Sequence, residues 1–349
     1  MTHDHVETVP SLQIGVHRCS RRDPTLLIAE EGQANQGDFE FALKMIDLTA
    51  DCGADGIEFQ FAIAADLYVS TQEGFELYKK REFTPSIIRE LITAVHAKDM
   101  LFHAACLSDT LIDVVVALGA DVVVVNAMDL NNPRMLDAVV VCGKPFLIST
   151  LMGTIEEIDW AVSRVRARGA SNFALLHGQH IMASQHGVAV PVEYTQLDCM
   201  EMLEHRYGVP VGFVDHTNSE IMPAIAASRG AVIVTKHLSP MPGWQGPDWQ
   251  VCLDPDAWKQ ASTYVKYANA ARGADKTLSF EEVSDRLYQR RSIVAARNIP
   301  RGKVLEESDI CFKRPGGGLV PRDVEKYLGN RVNRSVLADQ PITDEVLDI

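Results

Sequence analysis

Eight short apolar runs recur between residues 25 and 237, and a stretch with helical spacing separates each run from the next. The runs are rich in β-branched residues and do not alternate strictly between apolar and polar positions, which favours strands buried on both faces. Eight parallel strands that alternate with helices close into a (β/α)8 barrel, an α/β fold. The predicted strands are 25–31, 55–61, 100–106, 121–127, 145–150, 173–178, 209–215 and 231–237.

The first interval between strands shows the helical pattern clearly. Asp38 is a suitable N-cap, and Gly53 is suited to the C-terminal end. The residues that follow helical spacing, and that we expect to face the core, are Ala42, Met45, Ile46 and Thr49.

Polar residues gather at the ends of the predicted strands, where a (β/α)8 barrel carries its active site. His216 and His237 follow two consecutive strands, and imidazoles that converge in this way indicate a metal site. The candidates for the rim are Glu30, Glu31, Glu58, Gln60, Asn126, Ser149, Thr150, His177, Asp215, His216, Lys236 and His237.

The last part of the chain predicts a second, smaller domain. After residues 284–290 the pattern changes to short alternating strands, and Pro315 is followed by three glycines. We therefore predict a barrel domain at 1–285 and a small turn-rich domain at 286–349.

Composition restricts the partners and the compartment. The 349 residues carry a formal net charge of -14, which argues against nucleic acid or an anionic membrane as the main partner and leaves small molecules and proteins. The seven cysteines form no CxxC pair and predict reduced thiols. The N-terminus has neither the basic nor the apolar segment of a secretory signal, so a cytoplasmic location is expected.

Five segments together resemble the N-acetylneuraminate (sialic acid) synthase family. IAEEGQANQGD at 28–38, DGIEFQ at 55–60 and KPFLISTLM at 144–152 are similar to strand motifs of that family. MPGWQGPDW at 241–249 is similar to its closing motif, and residues 290–319 resemble the antifreeze-like (SAF) domain, of β-clip type, that is fused to these synthases. The order of these segments makes the resemblance specific.

The resemblance implies a reaction, a cofactor and an assembly. The reaction is the condensation of phosphoenolpyruvate with a sugar aldehyde to a nonulosonic acid and phosphate. The cofactor is a divalent metal, with Mn²⁺ as the first candidate and Mg²⁺ or Zn²⁺ as the alternatives. The assembly is a domain-swapped homodimer in which the tail of one chain reaches over the barrel mouth of the other.

The resemblance also assigns roles to individual residues. His216 and His237 match the metal ligands, and Glu30 matches an acid that orients water or donates a proton. Asp129 matches a second carboxylate, although a solvated loop acid is an equal alternative. Arg314 matches an arginine that the tail sends toward the sugar. The predicted substrate-binding residues are Gln60, Glu58, Ser149, His180, Asp215, Lys236, Asp248 and Arg314.

Several positions that bind the donor in the family are changed in this chain. The candidates to replace the lost contacts with the phosphate of the donor are Lys236, Arg314, His103, His177 and His180. The departures are Glu58 and Val124 at two lysine positions, Ala104, Ala105, Ala127 and Val214 at hydroxyl positions, and His180 and Met182 at an Asn and a Tyr.

Glu58 is the departure with the largest consequence for charge. It leaves two alternatives open, because it could recognise an amine or hydroxyl group of a substrate or could pair with Lys236 across the barrel mouth.

Three functions compete on these observations. The first keeps the family reaction, and the second keeps the metal and the barrel but uses a non-phosphorylated donor in a lyase, aldolase or transferase reaction. The third is a noncatalytic scaffold or sensor. Nucleotide cofactors are not expected, because neither a P-loop nor a strand–GxGxxG–helix signature is present.

Overall fold

A computed structural model of the chain describes residues 9–185, 187–273 and 275–348. The expectation of a cytoplasmic location rests partly on residues 1–8, and these lie outside the described residues. The chain forms two compact units, Met1–Arg272 and Gly273–Ile349. The sequence placed the division at 285/286, within a helix that belongs to the second unit.

The elements alternate in the first unit and become short in the second. The strands are β1 (Ser11–Ile14), β2 (His17–Ser20), β3 (Leu26–Glu30), β4 (Gly56–Phe61), β5 (Leu101–Cys106), β6 (Val122–Val125), β7 (Phe146–Ser149), β8 (Phe173–Gly178), β9 (Ala183–Ser184), β10 (Gly187–Val188), β11 (Val211–Asp215), β12 (Ile233–His237), β13 (Ser292–Ala295) and β14 (Ile310–Lys313). The helices are α1 (Phe39–Asp51), α2 (Ala64–Leu67), α3 (Glu73–Lys79), α4 (Pro85–His96), α5 (Ile112–Leu118), α6 (Pro133–Val141), α7 (Ile155–Ala167), α8 (Asp198–Tyr207), α9 (Met222–Ser228), α10 (Pro255–Ala271) and α11 (Phe280–Gln289).

The predicted (β/α)8 barrel is confirmed. Eight parallel strands form a closed barrel in the order β11-β12-β3-β4-β5-β6-β7-β8. Each lies within the apolar run that predicted it, and the observed ends differ from the predicted ones by two residues at most. The carboxyl ends of all eight strands therefore meet at one face of the barrel.

The first helix follows its sequence signals closely. The Asp38 side chain accepts a hydrogen bond from the backbone N–H of Phe41, which caps α1 at its N-terminus. Gly53 follows the helix with φ of +75°, a conformation that favours glycine. The buried face of α1 is the predicted one and consists of Ala42, Met45, Ile46 and Thr49.

An N-terminal hairpin was missing from the predicted elements. β1 and β2 pair in antiparallel register around Gly15, whose φ is +53°. Leu12 and Ile14 are fully buried and pack with the interior residues of the barrel. The alternation of polar and apolar residues in SLQI is the signal that could have identified the first strand of this hairpin.

Side chains on each barrel strand alternate between the barrel interior and the layer beneath the helices. The interior layer includes Leu26, Ile28, Ala105, Val122, Val124, Leu147, Ala174, Leu176, Val214 and Ile233. The layer that packs against helices includes Leu27, Ala29, Phe59, Phe102, Val123, Ile148, Leu175, Phe213 and Val234. Residues two positions apart on a strand share a layer, so parity decides which polar side chains reach the barrel mouth.

The second unit has a small core of its own. β13 and β14 pair in antiparallel register, and isolated bridges such as Ile299 with Val336 extend the pairing. The buried residues are Ile293, Ala295, Ile299, Leu305, Leu319, Val332, Val336, Ile342, Val346 and Leu347. Throughout the described part of the chain, none of the helices combines the length and the apolar character that a bilayer crossing demands.

Candidate active site

A cavity opens at the carboxyl ends of the barrel strands. Its polar lining is formed by Glu30, Gln33, Glu58, Gln60, Tyr78, Arg81, Asn126, Ser149, His180, His216, Thr235, His237 and Asp248. Its apolar lining is formed by Leu107, Val124, Ala127, Met128, Leu151, Met152, Leu176, Met182, Val214 and Pro247. A concave site with converging polar groups among apolar walls is the usual form of a small-molecule site.

Glu30, His216 and His237 converge in this cavity. Each offers one ligand atom, and these atoms lie within 4.8 Å of one another. The Nε2 atom of His237 is 3.2 Å from Oε2 of Glu30 and 3.3 Å from Nε2 of His216. All three residues are buried, so these polar atoms face one another with little access to water.

The tautomer of His216 suits metal binding. Its Nδ1–H donates to the backbone carbonyl of Gln179 at 2.8 Å, which leaves the Nε2 lone pair directed at His237. Burial, with a contribution from His237, holds the pKa of His216 well below its usual value. Burial also lowers the pKa of His237 to about 4. Two neutral imidazoles beside a carboxylate are a donor set that divalent transition metals accept.

Glu30 is held by a neighbour on the adjacent strand. The side-chain amide of Gln60 donates to Oε1 of Glu30 at 2.8 Å. Burial raises the pKa of Glu30 to about 7, against the lowering effects of Gln60 and of His180. The carboxyl can therefore gain or lose a proton near neutral pH.

Glycine is required beside the histidine on β12. A Cβ atom on Gly32 would lie 2.6 Å from Nδ1 of His237 and 3.0 Å from Oδ2 of Asp248. Gly32 also has φ of +53°, in the left-handed region that favours glycine. Asp248 thus lines the cavity next to the imidazole of His237, and burial raises the pKa of its carboxyl.

Glu58 lines the cavity without a hydrogen-bonded partner. It is 4% exposed, and its Oε2 atom accepts no hydrogen bond from the described residues. The nearest cationic candidate is His103, whose Nδ1 is 4.0 Å away, and burial lowers the pKa of that imidazole to about 4. Burial, and after it the charge of Glu30, raises the pKa of Glu58 well above its usual value.

The proposed ion pair between Glu58 and Lys236 is wrong. Lys236 is fully buried, and its ammonium lies 3.4 Å from Oδ2 of Asp215 and donates to the backbone carbonyl of Thr217. Asp215 and Lys236 are register neighbours on β11 and β12. Both have the parity of Phe213 and Val234, which pack against the helices, so they lie outside the cavity lining.

Two other sequence candidates of the first unit, His177 and Asp129, are also absent from the cavity lining. His177 has the parity of the helix-facing layer, and its Nε2 atom lies 2.9 Å from the backbone carbonyl of Thr195. Asp129 is buried, and its Oδ1 atom accepts a hydrogen bond from Asn132. Arg314 belongs to the second unit. The substrate-binding and catalytic roles of Asp129, Asp215, Lys236 and Arg314 stay predictions.

The structure brings nine of the predicted site residues together in the cavity lining. They are Glu30, Glu58, Gln60, Asn126, Ser149, His180, His216, His237 and Asp248. Sequence reasoning missed Tyr78 and Arg81, which line the same cavity from α3 and the residues after it. Neither residue lies at the end of a predicted strand, which is where the sequence candidates were sought. The run Lys79-Lys80-Arg81 also resembles the solvent-exposed end of a helix.

Comparisons with known proteins agree with this architecture. The NeuB family model matches residues 45–277, which is more than half of the chain, and the SAF domain model matches residues 290–347. Uncharacterized protein MJ1065 of Methanocaldococcus jannaschii is 28% identical over 95% of this chain and 96% of its own length.

An enzyme of known activity and a solved structure extend the comparison. The N,N'-diacetyllegionaminic acid synthase of Campylobacter jejuni is 26% identical over 92% of this chain and 99% of its own length. The crystal structure of N-acetylneuraminic acid synthetase from Leptospira borgpetersenii has a TM-score of 0.72 at 24% identity, and the match covers 79% of this chain and 95% of that one. On the extent of the family match, the chain belongs to the NeuB family and is an enzyme of the sialic acid synthase type.

Proposed function

We propose that the chain catalyses a metal-dependent, aldol-type condensation of an enolpyruvate-type donor with a sugar or related aldehyde, giving a nonulosonic-type acid. The observation that carries this proposal is the convergence of Glu30, His216 and His237 within 4.8 Å at the barrel mouth. NeuB family membership supports the reaction class and favours an enzyme over a noncatalytic scaffold.

The imidazoles of His216 and His237 would hold the metal, with the Glu30 carboxyl beside them. Both His216 and His237 are buried and neutral, and the Nδ1–H of His216 is already used by a backbone carbonyl, so the donor set fits a divalent ion such as Mn²⁺. When bound there, the ion supplies a Lewis acid for the aldehyde oxygen.

Glu30 supplies the proton chemistry of the proposal. Burial raises the pKa of this carboxyl to about 7 in the absence of a bound ion, and in the proposal Glu30 donates a proton to the alkoxide that forms from the aldehyde. Gln60 fixes the carboxyl through Oε1, and the cavity lining also includes the apolar side chains of Val124, Leu176 and Val214.

Phosphoenolpyruvate is the first candidate for the donor. With this donor, one aldehyde and one water give one acid and one inorganic phosphate, so that phosphate release reports the reaction. A cytoplasmic homodimer in which Arg314 serves the site of a second copy stays a prediction.

The test is phosphate release by the purified full-length protein with Mn²⁺, phosphoenolpyruvate and a panel of amino-sugar aldehydes. We expect release that requires metal and an aldehyde, and a loss of at least a hundredfold in the His237→Ala variant. The matched control is His180→Gln. His180 lines the cavity but is not one of the three converging residues Glu30, His216 and His237, so this variant should retain Mn²⁺ binding.

Equilibrium dialysis with Mn²⁺ gives a second readout that needs no turnover. His237→Ala should bind Mn²⁺ at least about a hundredfold more weakly than the unchanged protein. Equal Mn²⁺ affinity in the two proteins would contradict the proposed metal site.

A second candidate function uses a non-phosphorylated donor such as pyruvate. Glu58 favours it, because a buried carboxyl that lines the cavity supplies no cation for a phosphate and can form a hydrogen bond with a hydroxyl or amine. In that reaction one pyruvate and one aldehyde join in a single product with no phosphate released. A metal-bound protein that forms a carbon–carbon bond from pyruvate, and releases no phosphate from phosphoenolpyruvate, would establish this alternative.

A further inference from the structure

Arg81 is a cation in the cavity to which no role has been assigned. Among the described residues that line the cavity it is the one Lys or Arg, and three carboxyl groups share the lining with it. Burial raises the pKa of the Asp248 carboxyl, and the charge of Arg81 is one of the influences that act in the opposite direction.

The guanidinium of Arg81 has no polar partner in the described part of the chain. Its Nε atom is buried and makes no hydrogen bond with the described residues. Its Cζ atom lies 5.4 Å from the centroid of the Tyr78 ring. Buried donors without acceptors are uncommon in folded proteins, and a cavity is where a ligand supplies the acceptor.

The backbone around Arg81 is held in place from two directions. A Cβ atom on Gly37 would lie 2.4 Å from the carbonyl oxygen of Lys80 and 3.1 Å from Cα of Arg81, so the two segments touch through their backbones. The carboxylate of Glu82 accepts a hydrogen bond from the N–H of Ala64 at 2.9 Å. These two contacts hold the backbone on both sides of Arg81 in position.

The chemistry of Arg81 selects an anionic group. A guanidinium presents a planar fork of N–H donors that matches the two oxygens of a carboxylate. Both donors considered for the proposed function, phosphoenolpyruvate and pyruvate, carry a carboxylate, so this group is common to the two candidate reactions.

We propose that Arg81 binds the carboxylate of a substrate and is a specificity-determining residue of the cavity. The inference rests on the proposed function, because it takes the cavity as the substrate site. Two sources of the carboxylate are possible: a 2-oxo acid donor, and an acidic sugar aldehyde as the acceptor.

The experiment measures ligand binding, so that turnover is not needed. Full-length protein is titrated with pyruvate, glucuronate and inorganic phosphate, with glucose as the neutral control, and binding is measured by isothermal titration calorimetry. The variants are Arg81→Gln, Arg81→Lys and Lys80→Gln, the last of which removes the same charge one residue away on an exposed side chain.

We expect Arg81→Gln to weaken the binding of pyruvate or glucuronate by roughly ten- to a hundredfold. Arg81→Lys should recover part of the loss, and Lys80→Gln should bind as the unchanged protein does. Dependence on Arg81 for pyruvate alone assigns the residue to the donor, and dependence for glucuronate alone assigns it to the acceptor. A thermal melt followed by circular dichroism checks that Arg81→Gln is folded. Its midpoint temperature should equal that of the unchanged protein.

Three results would overturn the inference. They are equal carboxylate affinity in Arg81→Gln and the unchanged protein, dependence on Arg81 for phosphate alone, and no binding of any anion by the unchanged protein. Failure of the proposed function is a separate result, since the protein can bind a carboxylate through Arg81 and still release no phosphate from phosphoenolpyruvate.

Discussion

At the scale of single residues, strand parity separates two groups of polar side chains that look alike in the sequence. Asp215 and His216 are consecutive, as are Lys236 and His237, and all four were predicted to serve the site. Successive side chains on a strand point to opposite faces. The two histidines therefore reach the cavity, whereas Asp215 and Lys236 form a buried ion pair beneath the helices.

The buried ion pair predicts a large effect of one isosteric change. Asp215→Asn keeps the acceptor for the N–H of Thr217, which lies 2.8 Å from Oδ1, but removes the charge that faces Lys236. Because Lys236 is fully buried, we expect the free energy of unfolding to fall by about 3 kcal/mol. Urea unfolding of the metal-free protein, followed by circular dichroism, measures the change.

The control for this prediction is a double-mutant cycle with Lys236→Met. The double variant should recover much of the loss, because no unpaired charge is left in the helix-facing layer. If the loss in the double variant equals the sum of the losses in the two single variants, the two groups do not interact.

At the scale of elements, the connections between strands decide more of the site than the strands do. The segment after β4 places Tyr78 and Arg81 in the cavity, although no motif marks either residue. Gly37, in the connection after β3, lies against Lys80 and Arg81, and its φ is +88°. Contacts of this kind join residues far apart in sequence, and local propensity carries no information about them.

The close approach at Gly37 predicts a difference between two glycine-to-alanine changes. Gly37→Ala places a methyl group 2.4 Å from a backbone oxygen that has no rotamer to change. We expect a loss of roughly 2–4 kcal/mol in the free energy of unfolding, with weaker carboxylate binding through Arg81. Urea unfolding measures the first effect, and the ligand titration measures the second.

Gly143 provides the matched control, because its φ of +73° is similar and nothing lies within 4 Å of its added Cβ atom. Gly143→Ala should lose roughly 1 kcal/mol, the cost of the left-handed conformation alone. Equal losses at the two positions would rule out the backbone contact as the cause.

In the second unit, one buried carboxylate holds several connections together. Asp309 is fully buried, and its carboxylate accepts hydrogen bonds from Lys303, from Arg297 at 2.8 Å and from the N–H of Glu306 at 3.0 Å. Burial opposes the charged form of Asp309, but the hydrogen bonds from Lys303 and Arg297 outweigh it and lower the pKa.

A lowered pKa predicts the direction of the pH dependence. A carboxyl group of this kind stabilises the folded state above its unfolded pKa of about 3.9, and that stabilisation is lost as the pH falls through the lower folded value. Asp309→Asn should therefore destabilise the tail by about 2–3 kcal/mol at pH 7, and the difference should shrink below about pH 4. NMR of tail amides in a urea series measures it in the full-length chain.

Asp323→Asn is the control, because Asp323 is partly exposed and its partner Lys326 is on the surface. Its effect on the tail should be small at both pH values. The stability difference between the unchanged protein and Asp309→Asn should depend on pH. If it stays constant down to pH 3, the charge of Asp309 does not stabilise the tail.

At the scale of the whole molecule, the chain contains two compact units joined near Gly273. Residues 275–279 are exposed and lie outside helices and strands, whereas α11 belongs to the second unit. The carbonyl oxygens of Arg286 and Leu287 lie close to Gly316 in that unit. A helical pattern in the sequence shows that α11 exists but not which unit it joins.

The division between the units predicts where a protease cuts first. Trypsin should cleave after Lys276 before it cleaves within either unit, because exposed segments outside regular structure are the preferred sites. Mass spectrometry of early digestion products identifies the bond, and Lys276→Gln should slow this cleavage. First cleavage after Arg286 or Arg290 would instead favour the boundary that the sequence suggested at 285/286.

The sequence by itself determined the eight barrel strands and the order of the two units, and it predicted Glu30, His216 and His237 as residues of one site. These features depend on local hydrophobic periodicity, capping residues and motifs, which can be read along the chain. The tertiary structure alone decided that Glu58 faces the cavity without a partner, that Lys236 pairs with Asp215, and that Arg81 enters the lining. Those outcomes depend on strand parity combined with contacts between distant connections, since the free energy of a charge is set by the groups that surround it after folding.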